Sequence, residues 1–207
     1  GVDLNSDTGV SLISWWGQMD YYSYSYAAYG DYKGIDADLY AAIPANDVRK
    51  GQFLDLPSNS RHLQPLYKFY EAQRQPYGSS QIIQSDYVYM RISEMYLLHC
   101  EAVAATDEAR ARTVLKLFLA NRLDDVSYVD GLSGQALLDE IYLQTRIEFW
   151  AEGKTYLAMK RNKRSTKRGP NHLSFVGEVI PHNDERMTFE IPESEIQNNP
   201  FIIDQNL

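Results

Sequence analysis

From Tyr87 onward the spacing of apolar residues commits this 207-residue chain to helices. Ile92, Met95, Tyr96, His99, Ala102 and Val103 recur at helical spacing and define one face of a first helix. Thr106-Asp107 supplies an N-cap for a second, whose apolar face is Ala111, Val114, Leu115, Phe118 and Leu119. After a turn around Asp124 to Gly134, a third helix starts near Ser133 and turns Leu138, Ile141, Tyr142, Thr145 and Phe149 one way. Gly153 interrupts it, and Thr155 to Arg161 continues as a fourth, shorter helix. A glycine inside a helix costs about 1 kcal/mol relative to alanine. Gly153 is therefore predicted at a close helix-to-helix or helix-to-loop contact.

The flanking regions read differently. Before residue 40 there is no sustained period of 3.6 or 2.0. Gly9, Gly17, Gly30 and Gly34 break the stretch into ordered loops with short helical or strand pieces. Pro44, Pro57, Pro65 and Pro76 divide residues 41–86 into short elements. Beyond the fourth helix, Leu173 to Ile180 and Met187 to Ile191 have strand character, with Pro181-His182-Asn183-Asp184 as the turn between them. The expected architecture is mainly α, with long ordered loops and a short C-terminal β hairpin; two helical hairpins with a tight turn suggest tetratricopeptide-like stacking, although no clean 34-residue repeat is present. A loop-rich aromatic segment, 1–86, packs on a helical region, 87–207, within one structural domain.

Composition narrows the function. Forty-four per cent apolar residues at this length support a core without disulfide or metal staples, and the single Cys100 allows no internal disulfide. A net charge of −8 disfavours nucleic-acid backbones as partners. The longest uncharged stretch, Thr8 to Met19, is too short and too polar for the ~20 apolar residues of a membrane helix. Gly1-Val2-Asp3, without an initiator Met, reads as the start of a mature or trimmed chain.

Familiar site chemistries fail on spacing. His62, His99, His172 and His182 are scattered, and adjacent His99 and Cys100 point about 100° apart on a helix, so no metal set forms. Asp3 to Asp7 opens like a calcium loop but has Thr8 at the glycine position and Ser14 at the bidentate glutamate. Gly153-Lys154-Thr155 has Glu148 where a phosphate loop needs its first glycine. The seven cations between Lys154 and Arg168, with no acid among them, read as a solvated helix end rather than an anion site. No cofactor is called for.

Three runs resemble one family. Arg91, Glu94, Leu97, Glu101 and Ala102 fit the Arg-x-x-Glu helix of the SusD/RagB family of Bacteroidetes outer-membrane nutrient-binding lipoproteins. Arg146 to Gly153 resembles its Glu-Arg-Arg-x-Glu-Leu-x-x-Glu-Gly run, and Phe189 to Ile196 with Asn199-Pro200 its Ile-Pro-x-x-Glu-Ile…Asn-Pro terminus. Asp47-Val48-Arg49 fits an upstream Asp-x-Arg element. The departures are Gln144-Thr145 for Glu-Arg, Thr155 for Arg, Ala158 for Asp, and Lys116 and Leu119 for Asn and Arg. The resemblance covers roughly Asp47 to Leu207 and implies a C-terminal portion of a longer protein.

The resemblance implies a non-enzymatic role at the cell surface. That role is binding a glycan or other nutrient and delivering it to a SusC-like TonB-dependent transporter, with membrane attachment only through a lipid anchor outside this chain. A glycoside hydrolase of the same glycans and a protein-binding helical-repeat scaffold are the alternatives. Sixteen tyrosines are the compositional oddity. Trp15, Trp16, Gln18, Asp20, Tyr21, Tyr22, Tyr24 and Tyr26 form the candidate carbohydrate-binding set, because stiff aromatic rings stack on sugar C–H faces while Ser and Gly let the backbone adapt. The competing assignment for those rings is a cover over the helical core.

Overall fold

The computed structural model describes residues 33–66, 68, 89–202 and 204–206. Six α-helices and one two-stranded sheet lie among them. They are α1 (Ala37–Ala41), α2 (Ile92–Ala104), α3 (Glu108–Leu119), α4 (Gly134–Glu148), α5 (Lys154–Arg161) and α6 (Glu193–Asn198), with β1 (Thr166–Lys167) and β2 (Val179–Ile180).

Two of the helices begin on a side-chain cap. Asp107 accepts a hydrogen bond from the Arg110 N–H at 2.9 Å and starts α3, and Asp36 does the same for Leu39 at 3.0 Å in α1. The short turn between α2 and α3 folds them together, and α4 packs against both. Their shared core holds Leu97, Cys100, Ala111, Leu115, Phe118, Leu119, Leu137, Ile141 and Phe149. The anticipated face of α3 is the buried one. On α4 the anticipated stripe is only part of the buried surface: Leu138 and Tyr142 are half-buried, while Leu137, Gln144, Ile147 and Glu148 are buried. The C-terminal half of α4 is enclosed on two sides, because a second core packs on its other flank.

That second core belongs to residues 33–66. Ile35, Leu39, Ile43, Phe53 and Leu63 close on one another and on Ile147, with Leu143 and Trp150 against them. The Phe53 ring meets Trp150 edge-on at 5.1 Å. Ile35 donates to the Leu63 carbonyl, Leu63 to Leu54 and Leu54 to Gln64, so the segment satisfies much of its own backbone.

Three expectations need correction. On α2, the core face is Ser93, Leu97, Cys100 and Ala104, whereas Ile92, Met95, Tyr96 and Ala102 are exposed and His99 and Val103 half-buried. The helix is apolar nearly all round, so periodicity could not choose the inward side. The hairpin pairs Thr166–Lys167 with Val179–Ile180, not Leu173–Ile180 with Met187–Ile191. Glu185–Met187 is instead a 3-10 turn capped by Asp184. Finally, Gly153 makes no close contact: a Cβ there would meet nothing within 4 Å. Its φ of +76° is the reason for glycine, since it turns the chain between α4 and α5.

Several cations of the run from Lys154 to Arg168 carry acidic partners, while Arg161, Lys163 and Lys167 remain exposed. Lys154 pairs with Glu94 at 3.1 Å and Arg161 with Glu101, seven residues further along each helix, so α5 runs alongside α2 in the same direction. Arg164 reaches Asp139, Lys167 reaches Asp38 and Arg168 reaches Glu178. No helix among the described residues is long and apolar enough to cross a membrane.

Candidate functional site

The largest concentration of chemistry among the described residues is a buried charge cluster where α4 ends. A helix of α4's spacing puts residues 144 and 148 one turn apart on one face. The turn beyond it, with Ala151 at φ +60° and Gly153 at φ +76°, returns Glu152 beside Glu148. Two carboxylates therefore face the start of α2, the end of α3 and the loop Asp47 to Arg49.

Glu148, 4% exposed, accepts from three guanidinium groups. Arg122 donates through Nε at 2.9 Å and Nη2 at 2.7 Å, Arg49 through Nη1 at 3.2 Å, and Arg91 through Nη1. Glu152 accepts from Arg91 Nε at 2.9 Å and from Lys68 Nζ at 2.7 Å. The Glu148 main-chain carbonyl takes both Arg91 Nη2 and Lys68 Nζ at 2.6 Å. Ser93 Oγ accepts from Arg91 and Arg122, each at 3.0 Å. Arg49 is also gripped by Asp47, whose carboxylate takes its backbone N–H, Nε and Nη2. Gln144 Oε1 accepts from Arg49 at 2.6 Å and passes the link to Glu140 and then Tyr128. The Arg122 and Arg91 guanidinium carbons lie over the Phe118 and Phe149 rings, 3.7 and 4.6 Å from the centroids.

The electrostatics follow from that packing. Burial pushes the Glu148 carboxyl up, but hydrogen bonds from Arg122 and the charges of Arg91 and Arg122 outweigh it, holding the group well below the usual carboxylate range. Burial lowers the Lys68 ammonium, with Glu152 opposing. A carboxylate clamped by three guanidiniums cannot exchange protons near neutrality, which is what a general acid or base must do. The cluster locks elements together.

Two other features lie away from the cluster. A groove of about 510 Å³ on the outer side of α3 is lined by Arg112, Lys116, Leu117, Val126 and Asp130 among others. Lys116 binds both Asp130 oxygens at 2.7 and 2.9 Å, and Arg112 reaches Glu108 and the Leu132 carbonyl, so its charges are internally engaged. Cys100 is buried in the helical core, and burial pushes its thiol up to about 12. No group of His, Cys, Asp and Glu among the described residues forms a metal cluster.

The sequence-derived binding residues Trp15, Trp16, Gln18, Asp20, Tyr21, Tyr22, Tyr24 and Tyr26 all lie outside the described residues. The motif residues, by contrast, converge. Asp47, Arg49, Arg91, Glu148 and Glu152, drawn from three separate runs, meet in the one cluster. Arg122, Lys68 and Ser93 join them without standing out in the sequence; only a basic residue just past a helix end hints at Arg122. Gln144, one of the departures from the family pattern, holds Arg49.

The family model described as the SusD family matches residues 57–207. The chain belongs to that family. Solved structures agree on the SusD fold. A SusD superfamily protein from Bacteroides thetaiotaomicron VPI-5482 is 27% identical over 83% of this chain and 40% of its own, with a TM-score of 0.62. One from Bacteroides fragilis is 27% identical over 84% and 39%, with a TM-score of 0.61. A SusD-like carbohydrate binding protein from Bacteroides vulgatus ATCC 8482 shares the fold at 20% identity, with 94% and 46% covered and a TM-score of 0.64. Among curated proteins none matches. The chain thus spans less than half the length of these SusD structures.

Proposed function

We propose that this chain is the C-terminal portion of a surface glycan- or nutrient-binding protein that hands its ligand to a SusC-like TonB-dependent transporter in the outer membrane, without catalysing a reaction. The observation that carries the proposal is the SusD family match across residues 57–207. The carbohydrate named for the Bacteroides vulgatus relative supports the ligand class. The described chemistry is consistent with binding: its densest cluster is locked structurally, leaving ligand contact to other surfaces.

The contact surface we assign is the aromatic set Trp15, Trp16, Gln18, Asp20, Tyr21, Tyr22, Tyr24 and Tyr26, within a 1–86 segment packed on the helical region 87–207. One of Trp15 and Trp16 is a stacking platform and the other a core residue, because neighbours in an extended segment point to opposite faces. Tyrosine hydroxyls, Asp20 and Gln18 supply the directional partners that sugar hydroxyls need.

Calorimetry of the full-length protein against a panel of oligosaccharides, with a parallel assay for new reducing ends, tests this directly. Binding without cleavage is the expected result. New reducing ends would make the protein a hydrolase, and absence of any binding would favour a protein-binding scaffold. Pull-down from native outer membranes should recover a TonB-dependent receptor; recovery of none would remove the delivery step.

A further inference from the structure

Residues 33–66 have the makings of a lobe distinct from the helical body. They contribute Ile35, Leu39, Ile43, Phe53 and Leu63 to a small core that Ile147 of α4 completes. Their backbone pairs internally at Ile35–Leu63, Leu63–Leu54, Leu54–Gln64 and Leu66–Gln52, and Lys50 Nζ ties back to the Ile43 carbonyl at 2.6 Å. The core of the body is drawn entirely from residues 97–149. Between the two lies an apolar seam against Leu143, Ile147 and Trp150, flanked by two groups of polar attachments at different ends of the lobe, the second including contacts of Lys167 with Asp38 and His172 with Asp36, each at 3.3 Å.

The first attachment is the Asp47–Arg49 pair. Arg49 reaches across to Glu148 and Gln144, and beside it the Val48 N–H donates to the Arg122 carbonyl at 3.1 Å. The second is a clasp from the β1–β2 loop. Asn171 accepts from the Ala37 N–H and donates to the Ile35 carbonyl, both at 2.9 Å, while the Gly169 N–H donates to Asp36 at 2.9 Å. A Cβ at Gly169 would lie 2.0 Å from the Asp36 carboxylate and displace it.

We propose that residues 33–66 open and close against the helical body as one cooperative unit, with the Asp47–Arg49 pair as its bolt and Asn171 as its clasp. A buried hydrogen-bonded pair favours an all-or-none closure, because a half-inserted Arg49 would be desolvated without its partners. Sub-global opening of contiguous motifs of this kind is how folded domains acquire movable parts.

Amide hydrogen exchange read by NMR on the whole chain tests it. Asp47→Asn combined with Arg49→Met removes one charge of each sign and leaves Glu148 its bonds to Arg91 and Arg122. Exchange at Ile35, Val48, Leu54 and Leu63 should rise by a common factor, roughly ten- to a hundredfold from the loss of hydrogen bonds to charged groups. The helical amides of Leu115 and Ile141 should stay unchanged. Asn171→Ala, at the opposite end of the lobe, should accelerate the same four amides together, and it carries the test alone if the double variant does not fold. A rise confined to the neighbours of each substitution, a uniform rise through α3 and α4, or no rise in either variant overturns the proposal.

Discussion

Glu148 shows what one side chain can decide. Its carboxylate keeps Arg49, Arg91 and Arg122 from facing one another unscreened. Breaking a buried pair by removing one partner costs about 3–5 kcal/mol. Glu148→Gln should lower stability by about that much in urea titrations at pH 7. Because the folded carboxyl is held well below the usual range, its stabilisation is complete above the unfolded value of about 4.3 and is lost as pH falls below it toward the folded value. The stability gap between wild type and Glu148→Gln should therefore be constant from pH 7 to 5 and shrink below about pH 4.3. A gap that widened in acid would reverse the assignment.

Gly153 makes a second residue-scale case. It sits in open space at φ +76°, so Gly153→Ala should cost about 1–2 kcal/mol through backbone strain alone. Gly131 is equally open but has no left-handed φ, and Gly131→Ala should be neutral or slightly stabilising. Equal melting temperatures for the two variants would leave the strain argument without support. Cys100 should resist thiol reagents at pH 8 until the protein unfolds, since its thiol is buried and pushed up to about 12.

At the scale of elements, α3 depends on its first turn. Asp107 satisfies the Arg110 N–H, and Asp107→Ala should cost about 0.5–2 kcal/mol in thermal melts, with helical content otherwise preserved. This cap and the inward stripe of α3 were readable because α3 is amphipathic: Glu108, Arg110 and Arg112 mark the outside against Ala111, Leu115 and Phe118. On α2 the same reading picked the wrong side. Ile92, Met95 and Tyr96 are as apolar as Leu97 and Cys100, so only the packing of α3 and α4 distinguishes the faces. The hairpin failed for a different reason. Two-residue strands carry almost no periodic signal, and the loop between β1 and β2 is clasped to Asp36, far away in sequence.

At the scale of the molecule, the glycan proposal predicts a division of labour between the two tryptophans. Alanine at the platform should weaken glycan binding by about 2 kcal/mol, a ~30-fold change in dissociation constant, with melting temperature nearly unchanged. Alanine at the core tryptophan should cost about 3–5 kcal/mol of stability instead. Both variants binding the ligand normally in calorimetry would move the site off this segment.

The amino-acid sequence by itself determined that the chain is mainly helical, where α3, α4 and α5 run, and which family it belongs to, because helical period, caps and ordered motifs are local signals. Tertiary structure alone decided that Asp47, Arg49, Arg91, Arg122, Glu148 and Glu152 form one cluster. It also decided that α4 is buried on two flanks and that Gly153 serves a backbone angle rather than a contact. The first two depend on residues separated by tens of positions, and a carboxylate's partner is set by where the chain returns in space. Charge gives no sign along the sequence of the opposite charge it will meet.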